Sequence, residues 1–354
     1  MTDQLPPIYF YLPHSDWPEG ELPESADTYW QWQCARNSTY NWSLYNWTLQ
    51  TYLRLSSNGF PCELIGTMPV EGIVLAHRYS LADDLQPGPR LLLVCLQADK
   101  GRHTYAQVHV VQNSEDDIFK SSQYLWQAYH IPLWPQPGLI PRDPARGDRF
   151  ENVVYLGRER ELAPELTEPS WQEQMQKLGL AWQVRGKRES WNEYSDVDAI
   201  VAVRSFKSQN DYNWKPPSKL LNAWHAGIPA ILGCEAAYRV QRRSELDYIE
   251  VTSVSEVIAA LQLLRDDKGL RQAIIENGRI RAKETQAMEL VKRWQNFITE
   301  IAVPAYDRWC TRARWQRQAF LQGRYLDVTT RGTRSQIRRW RGYITGPVKS
   351  LLRR

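Results

Sequence analysis

From Asn152 onward the chain repeats one unit: a short, almost wholly apolar run, a segment of helical length, then another apolar run. The runs fall at Asn152 to Leu156, Ala181 to Val184, Ala199 to Val203, Ala230 to Leu232 and Tyr248 to Val251. Apolar runs without polar alternation mark strands covered on both faces, which is the signature of a parallel sheet. Crossovers between parallel strands are right-handed, so the expected fold is α/β, a doubly wound domain. Ligands in such domains collect at the carboxyl ends of the strands. Here those ends carry Gly157 and Arg158, the segment from Arg185 to Lys187, Arg204, and the loop from Lys215 to Lys219.

That loop opens the most informative stretch, KPPSKLLNAWHAGIPAILG over residues 215–233. Pro216 and Pro217 stop the preceding segment, and Ser218 is expected to cap a helix from Lys219 to about Ala226. Gly227 ends the helix and Pro229 leads into the apolar strand. A helix start offers unpaired N–H groups and the positive end of the dipole; with Lys215 and Lys219 beside it, an anion seat is expected. An ordinary solvated helix start has the same local pattern, so the choice depends on the surroundings.

The first half reads as a second unit of the same kind. Strands are expected at Ile8 to Leu12, Cys62 to Ile65, Gly72 to Ala76, Leu91 to Gln97 and Gln107 to Gln112. Helical spacing runs from Tyr40 to Ser56, and further helices are expected from Ile118 to Tyr129 and, in the second half, from Gly269 to about Ile298. The proline-rich passage over 131–148 reads as a hinge. A chain of 354 residues exceeds one ordinary core, giving an expected division into residues 1–148, 149–297 and 298–354.

Two Rossmann-like halves on a proline-rich hinge, Gly157-Arg158 after the first strand of the second half, and Leu221-x-Ala223-Trp224-x-x-Gly227-x-Pro229-Ala230 together resemble the GT-B glycosyltransferases. The resemblance implies two Rossmann-like domains facing across a cleft, followed by a basic helical tail. It also implies a nucleoside-diphosphate sugar donor bound by Gly157, Arg158, Arg204, Lys215, Ser218, Lys219, Asn222 and Glu235. Asn222 stands where many retaining members place a ribose-binding glutamate, and the earlier glutamate of that motif would fall near Trp214, so the stereochemistry stays open. Breaking the bond to a diphosphate builds negative charge that cations and amide N–H groups must meet if no metal does. Arg158, Lys219 and the helix start are the first candidates, with Arg204 and Lys215 behind them. No divalent metal and no cofactor other than the donor substrate is expected: Asp196-Val197-Asp198 matches a metal-binding DxD pattern but directly precedes a strand and reads as its start signal. An inverting reaction needs a base on the acceptor hydroxyl. His14, just after the first strand with Asp16 nearby, is one candidate, and Asp99 is its rival.

The expected function is therefore transfer of a sugar, of hexosyl type, to a hydroxyl of a saccharide or lipid-linked acceptor. A sugar-nucleotide epimerase and a non-catalytic scaffold of the same fold are the alternatives. The five cysteines are odd in number and lack a CxxC pair, which fits a reducing cytoplasm. Basic charge is concentrated at the end: residues 300–354 hold 13 Lys/Arg against 3 Asp/Glu. Ile337, Arg338, Arg339, Trp340 and Arg341 would suit a basic interfacial helix, so residues 330–354 are expected to meet an anionic membrane surface. No nucleic-acid reader motif accompanies those charges, and nucleic acid is not an expected partner.

Overall fold

A computed structural model describes residues 5–35, 42–120, 126–207 and 211–330. In the first half, β1 (Ile8–Tyr11), β2 (Glu63–Ile65), β3 (Glu71–His77), β4 (Arg90–Leu96), β5 (Val108–Val111) and β6 (Gln127–His130) form one sheet in the order β2-β1-β3-β4-β5-β6. In the second, β7 (Asn152–Leu156), β8 (Ala181–Arg185), β9 (Ala199–Ala202), β10 (Ala230–Gly233) and β11 (Ile249–Val251) follow the order β11-β10-β9-β7-β8. Every strand pair is parallel. Each sheet puts its second strand on one side of its first and its third strand on the other. The winding thus reverses between β1 and β3, and again between β7 and β9, opening a crevice at each reversal.

The helices, in chain order, are α1 (Tyr29–Cys34), α2 (42–56, with a π-helical stretch at Tyr45–Leu49), α3 (Asp117–Lys120), α4 (Pro169–Lys177), α5 (Ser218–Ala226), α6 (Val254–Asp266), α7 (Lys268–Ala282), α8 (Ala287–Asn296), α9 (Val303–Thr311) and α10 (314–330). The expected strands all form to within a residue or two, because β5, β9 and β10 are buried at every position and β3 and β4 at nearly every one. Leu220, Ala223 and Trp224 of α5 join Val201 and Ile231 in the core of the second domain.

Three local expectations are corrected. The helix expected from Ile118 to Tyr129 is confined to α3, and Gln127–His130 forms the edge strand β6, paired in register with Val108–Val111. Half-buried on both faces, QAYH shows neither period. The helix expected from Gly269 to about Ile298 breaks at Lys283–Gln286, where the buried Thr285 hydroxyl meets His225 Nε2 at 2.9 Å and Gln286 turns extended. Beyond the break the chain crosses over: Leu290, Val291, Trp294 and Phe297 pack with Ile8, Phe10 and Trp47 of the first domain. Ser218 is the first residue of α5 and makes no capping bond; the cap position is Pro217. Gly227 does close the helix in the left-handed conformation, at φ 69°.

The last helix is tied to the first sheet. Arg324, fully buried, donates to the carbonyls of Ala106 and Gln107 between the rings of Trp126 and Phe320. Trp126 in turn donates to Asp327 at 2.8 Å.

Candidate functional site

The two carboxyl-end crevices open onto one cleft of about 290 Å³ between the domains. The second domain contributes Tyr155 to Arg158 from the end of β7, Arg204 beyond β9, and Lys215, Ser218, Lys219 and Asn222 from the start of α5. The first contributes Trp30, Trp42, Ser43, Asn46, Ala98 and Asp99.

Lys219 lies on the cleft floor. Its Nζ donates to the Leu156 carbonyl and stands 5.5 Å and 5.4 Å from the ring centres of Tyr155 and Trp191. Burial, then the nearby charge of Arg204, lowers its pKa to about 8. A desolvated ammonium between two aromatic faces interacts strongly with any anion that enters. Gly157 leaves room for Tyr155: a Cβ there would sit 2.7 Å from the Tyr155 hydroxyl, which donates to the Arg158 carbonyl at 3.3 Å. Arg158 follows directly and lines the cleft.

Arg204 bridges two carboxylates, Glu161 at 2.6 Å and Glu235 at 3.2 Å. Burial works against the charge on all three. Arg204 nonetheless holds Glu161 below its ordinary range, and the two acids hold Arg204 above its own. Glu235, the more deeply buried acid, is left above the usual carboxylate range by its burial, against the pull of Arg204. It does not line the main cleft but an adjoining cavity of about 160 Å³ with Arg204, Tyr212 and Thr252, at the ends of β10 and β11.

Lys215 reaches across to the first domain, placing Nζ 3.0 Å from Asp99 Oδ2. Burial opposes the Asp99 charge, but Lys215 and then Lys100 outweigh it and hold the carboxyl below its usual range. The same loop is clasped by Gln112 Nε2 on the Trp214 carbonyl (3.0 Å), Asn113 Nδ2 on the Lys215 carbonyl (3.1 Å) and Asn213 Nδ2 on Asp117 (3.1 Å). Asn222 lines the cleft with its Oδ1 already accepting from the Gln136 amide at 2.9 Å, so it pins the hinge to α5.

The sequence candidates are thus brought together unequally. Gly157, Arg158, Arg204, Lys215, Ser218, Lys219, Asn222 and Asp99 line one cleft. His14 and Asp16 stand outside its lining residues: His14 is exposed over Gly66, with Nε2 3.3 Å from Thr67 Oγ1. Neither carboxylate of the DxD pattern faces the cleft. Asp198 accepts from Arg142, Arg146 and the amides of Glu151 and Asn152, while Asp196 pairs with Arg185. Sequence reasoning missed Tyr155, Glu161, Arg188 and Trp191, and found no context for His77, which is buried with Nε2 3.1 Å from Ser43 Oγ. Tyr155 was detectable as the one polar-tipped residue in the apolar run VVYL; the others depend on loops that only the fold brings together.

No protein-family model and no curated protein matches the chain. Among solved structures it is similar to sucrose-phosphate synthase from Thermosynechococcus elongatus, at 12% identity over 73% of this chain and 77% of that one, with TM-score 0.47. It is similar to the pneumococcal O-GlcNAc transferase GtfA in complex with UDP and GlcNAc, at 12% identity over 72% of this chain and 60% of that one, with TM-score 0.47. HepE of Anabaena in complex with UDP is a third, at 11% identity over 70% and 88%, with TM-score 0.45. The likeness is one of fold. Two doubly wound parallel sheets facing one cleft, with C-terminal helices returning onto the first domain, make the architecture GT-B.

Proposed function

We propose that the chain is a glycosyltransferase that moves a sugar from a nucleoside-diphosphate sugar to a hydroxyl of a saccharide or lipid-linked acceptor, without a divalent metal. The observation that carries this reading is Lys219 Nζ, desolvated at the winding reversal between β7 and β9, with the start of α5 and Arg158 on the same cleft. Charge that grows on a departing diphosphate is stabilised by cations and N–H groups fixed there in advance. Asp99 is the first-domain carboxylate on the cleft and serves as the base. Lys215 neutralises it in the unliganded protein, and its transfer to the incoming diphosphate would free the carboxylate to accept the acceptor's proton. Thermal melts against UDP, GDP, ADP, CMP and dTDP test the reading. At least one should raise the melting temperature by several degrees, as expected of a ligand well above its Kd; no shift with any of them would remove the reading's main support.

We also place the protein at a membrane surface, peripherally, through residues 330–354. Those from 331 onward lie outside the described residues. Support comes from composition, since 331–354 hold eight Lys/Arg and no acid, and from α10, which leads into them with Trp315 70% and Leu326 58% exposed. No helix among the described residues is long and apolar enough to cross a membrane. Deleting 330–354 should abolish co-sedimentation with phosphatidylserine-containing vesicles and leave nucleotide melts unchanged. Vesicle binding that survives the deletion would exclude the tail as the anchor.

A further inference from the structure

The first-domain wall of the cleft carries two hydrogen-bond donors whose direction is set from behind, and we infer that Ser43 and Asn46 form a binding site for a saccharide, taking neighbouring oxygens of one sugar unit. Only the assignment of that sugar as the acceptor rests on the transferase reading.

Ser43 and Asn46 lie one turn apart on α2, and both line the cleft. Behind Ser43 stands His77, fully buried at the end of β3. The Tyr79 backbone N–H points at His77 Nδ1 from 3.2 Å. A backbone amide can only donate, so Nδ1 carries no proton. Burial lowers the imidazole pKa to about 4, which leaves the ring neutral with its one proton on Nε2. Nε2–H therefore donates to Ser43 Oγ at 3.1 Å, and the serine's own proton must point away from the histidine. Behind Asn46 stands Tyr29, also fully buried, whose hydroxyl donates to Asn46 Oδ1 at 2.6 Å. The amide hydrogens on Nδ2 are thereby turned away from Tyr29. Two buried groups thus leave the wall an O–H and an N–H donor in fixed orientation.

Both donors are neutral, and the cations that line the cleft, Arg158, Arg188, Arg204, Lys215 and Lys219, belong to the opposite domain. Uncharged oxygens such as sugar hydroxyls suit this wall better than phosphate or carboxylate, which the other wall would attract. Trp42 adjoins both donors, edge-on to Trp30 at 5.3 Å, and supplies an aromatic surface for the C–H face of a sugar ring. Arg188 of the second domain stands 5.0 Å from the Trp42 ring centre, so a bound ring and Arg188 would share that surface. Asp99 lines the same cleft, within which a hydroxyl of the bound sugar can present its proton.

The test uses the full chain and saturation-transfer NMR with the methyl glycosides of glucose, galactose, mannose and N-acetylglucosamine. The variant is Ser43→Ala/Asn46→Asp, in which the aspartate keeps an oxygen for Tyr29 and loses both N–H donors. At least one glycoside should bind the wild type, and the double variant should bind it about tenfold or more weakly, as expected for two lost hydrogen bonds. Ser43→Thr, which keeps the hydroxyl, should bind near wild type. Failure of all four glycosides to bind, undiminished binding by the double variant, or equal competition by inorganic phosphate would each overturn the inference. Glycoside binding that depends on Ser43 in a protein that no nucleotide stabilises would sink the transferase reading and leave this site standing.

Discussion

Lys219→Met should cost about tenfold to a hundredfold in donor affinity, the order expected when a hydrogen bond between charged groups is lost. Its pH dependence separates this loss from a general defect. In the unliganded fold the Lys219 pKa lies near 8, because burial and then Arg204 disfavour the ammonium. A diphosphate outweighs both causes, since it supplies the missing counter-charge and favours the protonated form. Binding must therefore take up a proton between pH 8 and the higher pKa of the complex, and affinity must fall as pH rises through that window. Calorimetry of nucleotide binding at pH 9 in buffers of different ionisation enthalpy reads the proton directly. Uptake should approach one proton in the wild type and vanish in Lys219→Met.

The same group makes a stability prediction of definite sign. A lysine whose folded pKa is depressed leaves the unfolded chain binding more protons between about pH 8 and its ordinary value near 10.5. Its contribution to stability rises with pH across that interval, and methionine removes the rise. A variant that keeps both the slope and the proton uptake would show that another group holds the diphosphate.

Much of this was legible in the sequence because strand burial is written locally. VVYL, AIVA and AILG are apolar at every position, and the fold needs little more to bring Gly157 and Arg158, beyond β7, beside Lys219 at the start of α5. What a side chain does once there was not legible. Lys215 bonds to Asp99, 116 positions away, and Asn222 to the Gln136 amide, 86 positions away. Neither partner leaves a mark in the one-dimensional pattern, because a polar residue at a strand end reads alike whether it meets ligand, water or another domain. His77 shows the converse. An isolated histidine acquires a fixed tautomer and a defined partner only when β3 brings it behind α2.

Arg204→Met is expected to destabilise the protein by about 3 to 5 kcal/mol, the cost typical of removing one partner from a buried ion pair. Glu235 decides this. Its side chain is 4% exposed, so losing Arg204 strands its charge, whereas Glu161, at 35%, can turn to water. Stranded, the Glu235 carboxyl would rise further above its already raised pKa, so the folded state would hold a proton that the unfolded state releases. The penalty must then be small near pH 4 and grow as pH rises through the folded pKa, the opposite slope to that of Lys219. Arg204→Met/Glu235→Gln removes the stranded charge and should recover most of the loss in urea melts. The pair of variants also tells what Arg204 does for the ligand. If the double variant regains stability and nucleotide affinity together, Arg204 acts only by holding Glu161 and Glu235 beyond the ends of β7 and β10. Regained stability with lost affinity would mean that the guanidinium leaves Glu161 for the diphosphate, making the two acids a resting place for a donor-binding cation rather than its destination.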